Sequence, residues 1–556
     1  MNTIRKASVL SLVLLVIAGC APSPDDSASL IVMSTRVWTG DVELPWAEAV
    51  AVKDDRIIAV GNDEDVAAFV GPETRILMAP DGMLTPGFID THVHFVAGGA
   101  SLASVQLRDA KTPEEFVARI GDFATGVEAG EWILQGTWDH TNWGGELPTR
   151  QWIDASTPEN PVWIERLDGH MALGNSLALK SAGVDADTPD VDGGEIVRDA
   201  DGYPTGILKD NAMAMVYDAV PPAGDALIDR QVRAAMQYVA SNGVTTVHDM
   251  QDWQSLAAYR RLHADGELIT RIYSIVPLSD WQQLRDDVEA NGRGDVWLKT
   301  GGLKGFMDGS LGSHTAAFFD PFTDAPDDSG FLINALDDMR AWIAGADAAG
   351  LHVVVHAIGD RAISNLLDIY RDVVNEHGER DRRFRIEHAQ HIHADDIPRF
   401  AVQDVIASMQ PYHAIDDGRW AENVIGAERS KTTYAFRSLV ESGARVAFGS
   451  DWFVAPATPI EGIYAAATRR TLDSANPDGW VPEQKISVEQ ALKAYTIEGA
   501  YASFEEDIKG MIRVGMLADL VLLDRDLTAV EAETIPETAV LATIVGGQVV
   551  YDAKPE

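Results

Sequence analysis

The chain has 556 residues, 46% hydrophobic and 23% charged, with a formal net charge of −42 at pH 7. The length exceeds one ordinary core, so two or more domains are expected, and the composition is that of a soluble globular protein. Such negative charge excludes nucleic acid and anionic membrane surfaces as partners and discourages self-association, although a homodimer is left open.

The first twenty residues, "MNTIRKASVL SLVLLVIAGC", have a basic start, an apolar run from Val9 to Ile17 and small residues before Cys20. This reads as a secretory signal, and the apolar run is too short for a permanent membrane span. "IAGC" resembles a bacterial lipobox, which makes Cys20 the lipidated first residue of the mature chain. Cys20 is also the single cysteine, so no disulfide is expected. Residues 21–28 read as a polar tether.

From Leu30 to Met83, short apolar runs alternate with turns, and "EAVAVKDDRIIAVG" reads as a hairpin turning at Asp54–Asp55. The far end has the same texture, in "MLADLVLLDRD" and "VLATIVGGQVVYD". Two strand-rich ends predict one β-sandwich built from both termini, over 29–84 and 505–556. The part between, 85–504, is then an inserted domain. In it, eight β-branched runs recur: "GFIDTHVH", "GVTTVHDM", "RIYSIVP", "GLKGFMDGS", "LHVVVHAIGD", "FRIEHAQ", "VIASMQP" and "RVAFGSDW". Amphipathic helices such as "DRAISNLLDIYRDVVNEHG" separate several of them. The pattern predicts an α/β fold, a (β/α)8 TIM barrel, with its active site at the C-terminal ends of the strands. Seven of the eight runs place a polar or ionisable residue near that end; "RIYSIVP" does not. More than a hundred residues separate the first two runs, and 103–226 reads as an inserted subdomain over the barrel mouth.

His92 and His94 are two apart on the first strand and therefore face one side. His356, His388 and Asp451 stand at the ends of the fifth, sixth and eighth strands. Alone, each histidine is more often structural. Together they form an imidazole and carboxylate set that suits zinc, and also manganese or iron. Lys304, on the fourth strand, would be repelled by cations. Either it forms a salt bridge, for instance with Asp308, or its neutral amine takes up carbon dioxide to form a carbamate able to bridge two ions.

"PGFIDTHVH", the strand-borne lysine, His356, His388 and "SDW" resemble the amidohydrolase superfamily. "GTWDHTNW", "LDGHMALGNSLAL", "LKGFMDGSLGSHTA", "VHAIGDRAI", "IEHAQ" and "MQPYH" look like its YtcJ-like branch, which includes N-substituted formamide deformylase. The resemblance runs from about Leu30 to Tyr551. It implies a binuclear site: His92, His94 and Asp451 on one metal, His356 and His388 on the other, and carboxylated Lys304 between them.

The expected reaction is hydrolysis of an amide-type C–N bond in a small molecule by metal-activated hydroxide, with Asp451 shuttling the proton. His248 and His314 are candidates for stabilising the oxyanion. Trp138, Asp139, His170, Asp308, Gln410 and His413 are expected around the substrate. Esters, cyclic amides or an isomerisation on the same metals stay open, because specificity lies in loops. A ligand-binding surface lipoprotein is the non-enzyme alternative. Lipidated Cys20 would anchor the protein, with its body facing an extracytoplasmic space.

Overall fold

The computed structural model describes residues 27–33 and 35–553. Cys20 with its expected leader, and the tether up to residue 26, lie outside the described residues. Eight parallel strands form the central sheet: β1 (Phe88–Val93), β2 (Val244–Met250), β3 (Arg271–Pro277), β4 (Leu298–Phe306), β5 (His352–Ala357), β6 (Arg385–His388), β7 (Ile406–Met409) and β8 (Val446–Phe448). Their hydrogen-bonded order follows the chain. They are buried on both faces, which is why the sequence shows continuous apolar runs rather than alternation.

The sheet closes on itself. β8 is too short for a full ladder with β1, and the chain beyond it completes the seam. Asp451 N–H donates to His92 O at 2.7 Å, and His94 N–H donates to Trp452 O at 2.5 Å. Gly449 makes the approach feasible, since a Cβ there would lie 2.6 Å from His92 N. Helices Leu336–Ala348 and Asp360–His377 fall where the periodicity puts them. The second buries Ile363, Leu366, Leu367, Tyr370 and Val373, at helical spacing.

Each of the eight expected runs contains one strand. The fourth differs in extent, beginning at Leu298 and ending at Phe306. Asp308 explains the early end. Its carboxylate accepts N–H groups from Ala317, Ile358 and Gly359, drawing the following residues into the mouth loop.

Two further sheets stack at one side of the barrel. Four strands from residues 30–78 form one sheet. In the other, Met83–Pro86 pairs antiparallel with Leu520–Leu523, so both ends of the chain share a sheet. Val32, Val50, Leu84, Leu520 and Ile544 fill the space between the sheets. The Asp54 turn takes φ 53° in the expected hairpin. Buried Arg271 of β3 forks onto Asp519, at 2.7 and 2.9 Å, and ties the barrel to this sandwich. The long segment after β1 carries a five-stranded sheet of its own (133–138, 162–166, 171–174, 194–198 and 204–210) over a core of Phe116, Trp138, Ile164 and Leu173.

Candidate metal centre

Four imidazoles converge at the C-terminal ends of β1, β5 and β6, and each has one nitrogen held from behind. His92 Nδ1 lies 2.6 Å from Glu387 Oε2, and His94 Nδ1 lies 3.1 Å from Met250 O. His388 Nδ1 lies 2.9 Å from Gln410 Oε1, and His356 Nε2 lies 3.0 Å from Gly309 O. All four partners are acceptors, so the held nitrogen carries the proton. The other nitrogen keeps its lone pair, as a metal ligand requires.

The other nitrogens of the first pair face Asp451. His92 Nε2 is 3.5 Å and His94 Nε2 is 3.3 Å from Asp451 Oδ1. That oxygen is buried and has no hydrogen-bond donor. Burial pushes His92, His356 and His388 well below the usual imidazole range, and neighbouring cationic groups, among them Lys304, push further in the same direction. They are therefore neutral, the ligating form.

Lys304 reaches the same centre from β4, with Nζ 3.1 Å from His92 Nε2. Burial lowers its ammonium from 10.5 to about 8, although Glu387 and Asp451 oppose the shift. Ligand atoms of His92, His94 and Asp451 lie within 4.8 Å of one another, as do those of His388, His413 and Asp451. His356 packs on His388 with ring centroids 4.5 Å apart. Neutral imidazoles around an unsatisfied carboxylate oxygen suit a divalent cation.

A cavity of about 230 Å³ opens above this cluster. Its wall includes Arg166, Asp168, His170, Phe306, Leu311 and Trp420. His170 donates to Asp210 at 2.6 Å. Burial disfavours charge there, but Asp210 outweighs it and raises the imidazole. His413 is on the wall, its buried Nε2 unpartnered and 4.0 Å from Asp451 Oδ2.

Other expected residues lie elsewhere. His248 sits inside the barrel against Arg385, 3.0 Å away, and does not line the cavity. His314 turns outward to Asp324 at 3.1 Å and packs on Phe322. Neither is placed to meet an oxyanion in this cavity. Trp138 belongs to the core of the inserted sheet, with Nε1 donating to Ile164 O. Asp139 braces Arg166 and Arg419 at 3.3 Å from behind the wall. Asp308 is consumed by three backbone N–H groups, and Gln410 stands behind His388.

The sequence reading missed Glu387, Arg385, Arg166 and Asp168. Arg385 and Glu387 form a buried pair at 2.8 Å. Arg166 pairs with Asp168 at 2.6 Å. Their signal was charge inside short apolar strands, in "RIEH" and "IERLD", where burial demands a partner.

The sequence profile of the Amidohydrolase family matches residues 79–551. Protein LONG AFTER FAR-RED 3 of Arabidopsis thaliana is 38% identical over 542 residues, covering 94% of this chain and 92% of that protein. YtcJ of Bacillus subtilis, which carries an amidohydrolase name, is 29% identical over 91% of this chain and 96% of its own length. N-substituted formamide deformylase of Arthrobacter pascens is 28% identical, covering 94% and 98%. The crystal structure of an uncharacterized metal-dependent hydrolase from Pyrococcus horikoshii superposes with a TM-score of 0.73 at 27% identity, over 91% of this chain and 99% of that one.

Proposed function

Because the chain belongs to the amidohydrolase family of metal-dependent hydrolases, we propose that it cleaves an amide-type C–N bond outside peptides, in an N-substituted formamide or an N-acyl amine. The observation that carries this reading is Asp451 Oδ1, buried, without a donor, and 3.3–3.5 Å from two imidazoles whose proton is fixed on the far side. The relative named N-substituted formamide deformylase supports the substrate class.

His92, His94 and Asp451 would hold one divalent ion. His356 and His388 would hold a second, with Lys304 as a carbamate between them; zinc suits the set best, and manganese or iron also fit. Bound metal supplies a lowered pKa for water, from about 15.7 towards ~7, and polarises the substrate carbonyl. Asp451 takes a proton from the attacking water and passes it to the departing nitrogen. His413, 4.0 Å from Asp451 Oδ2 and otherwise unpartnered, faces the same reacting volume. Phe306, Leu311 and Trp420 give the substrate body an apolar bed and exclude water.

The test is amine release from a panel of N-formyl, N-acyl and cyclic amides by metal-loaded protein. Release from the first two classes that disappears in Lys304→Ala and Asp451→Asn supports the reading. Silence across the amides with turnover of esters or lactones refutes it. An extracytoplasmic, lipid-anchored location through Cys20 belongs to the same proposal; metabolic labelling with a fatty acid that persists in Cys20→Ala refutes that part.

A further inference from the structure

His352 and His391, buried outside the metal centre, are hydrogen-bonded on both ring nitrogens. His352 joins Tyr273 Oη and Arg383 O, and His391 joins Thr433 Oγ1 and Gln390 Nε2. His413 is different. It lies in the first turn of the helix Pro411–Asp417 that follows β7, on the wall of the cavity above the cluster. Its Nε2 is buried and meets no hydrogen-bond partner. Such an atom is costly unless something in the working protein completes it. His248 Nε2 is also without a partner, but among the described residues it belongs to no set of candidate metal ligands, whereas His413 does.

That set is His388, His413 and Asp451, with ligand atoms within 4.8 Å of one another. The rings of His388 and His413 are parallel to within 7°, with centroids 6.5 Å apart. His413 Nε2 is 4.0 Å from Asp451 Oδ2. The gap is too long for a hydrogen bond. It matches two bonds of about 2.0–2.2 Å that meet at one ion. The first set has similar gaps, with His92 Nε2 at 3.5 Å and His94 Nε2 at 3.3 Å from Asp451 Oδ1. Each oxygen of Asp451 therefore faces its own histidines.

We propose that His413 is a ligand of the second divalent ion, beside His356 and His388. The inference rests on the metal-centre reading above and adds to it a ligand from the chain that follows β7, a strand that otherwise supplies none. Three imidazoles make the second position richer in nitrogen than the first, which has two imidazoles and a carboxylate, so zinc is favoured there over manganese. Gln410, three residues before His413, accepts from His388 Nδ1 at 2.9 Å. One short stretch of chain thus orients one ligand and supplies the next.

Zinc binding to the full-length parent and to His413→Gln tests this, by atomic emission and by competition with a chelator, with His314→Gln as the control. His413→Gln should hold its more weakly bound zinc at least about 100-fold less tightly than the parent does, since even groups that only orient a ligand are worth about 10–100-fold. The visible spectrum of the cobalt-loaded protein should change with it, and His314→Gln should match the parent in both. Because His413 Nε2 makes no hydrogen bond within the chain, the metal-free thermal midpoint should hold in His413→Gln while its rise on adding zinc shrinks. Should the glutamine variant fold poorly, His413→Ala repeats the comparison, and a lowered metal-free midpoint in both variants overturns the proposal by marking a structural role. Unchanged zinc affinity with an unchanged cobalt spectrum overturns it too, as does loss of turnover with both intact, which assigns His413 to the substrate. A parent that binds no divalent ion overturns the metal-centre reading itself, and the proposal with it.

Discussion

Glu387 Oε2 lies 2.6 Å from Nδ1 of His92, and neither side chain reaches solvent. The carboxylate fixes the imidazole proton on the side away from Asp451, which leaves Nε2 as the atom that would ligate the proposed metal. Glu387→Gln should weaken metal binding by about 10–100-fold, measured by competition with a chelator. Glu387→Ala also strips buried Arg385 of its ion pair, and should cost about 3–5 kcal/mol in thermal or denaturant unfolding. Unchanged metal affinity in Glu387→Gln would mean that His92 is not a ligand.

Asp451→Asn keeps the shape of the side chain and removes its basicity. Metal content should stay close to that of the parent, while kcat falls by about 10²–10⁴. Atomic emission on the purified variant, alongside turnover of any active amide, separates the two effects. Full activity would remove Asp451 from the proton path.

Lys304 gives a pH dependence whose sign is fixed. Burial holds its folded-state pKa at about 8, against 10.5 when exposed. Between those values the unfolded chain keeps a proton that the folded chain has released, so stability rises with pH across that window. Metal-free protein in bicarbonate-free buffer should therefore gain roughly 3 kcal/mol from pH 8 to 10.5, relative to Lys304→Met. The added stability is lost as the pH falls through 8. Parallel unfolding curves for the two proteins across the window would refute the buried-lysine account.

Gly312 approaches the cavity wall where Arg166 is locked. A Cβ there would lie 2.4–2.7 Å from the guanidinium group. Arg166 cannot swing aside cheaply, because it is buried and paired with both Asp139 and Asp168. Gly312→Ala should raise KM by about tenfold or more while leaving metal stoichiometry intact, since no metal-facing group is touched. An unaltered KM would show that this wall does not contact substrate.

Much of this was legible from period and position. β-branched runs at intervals announce buried parallel strands, and a period of two puts His92 and His94 on one face, towards Asp451. The match of Met83–Pro86 with Leu520–Leu523 follows from the strand-rich ends of the chain. Side-chain destinations within the mouth were less legible. His248 shares a strand end with Asp249, yet β2 turns it inward to Arg385, a partner 137 positions away. His314 leaves the site because its backbone enters the left-handed region, at φ 56°, in a loop shaped by Asp308. Asp308 itself reads as polar and available in sequence; only the fold supplies the three N–H groups that occupy it. Such long-range partners leave no local periodic trace.

The seam between β1 and β8 gives metal occupancy a second meaning. His92 and His94 stand on one bank and Asp451 on the other, and few backbone bonds cross between them. An ion held by all three, as proposed, would act as a clasp on the cylinder. Occupancy and barrel integrity would then be one linked equilibrium, worth about 4 kcal/mol when free metal exceeds its dissociation constant a thousandfold. Starved of metal, the chain would be lost first to proteolysis, starting at the seam, so metal supply would set how long each molecule survives as well as how fast it turns over.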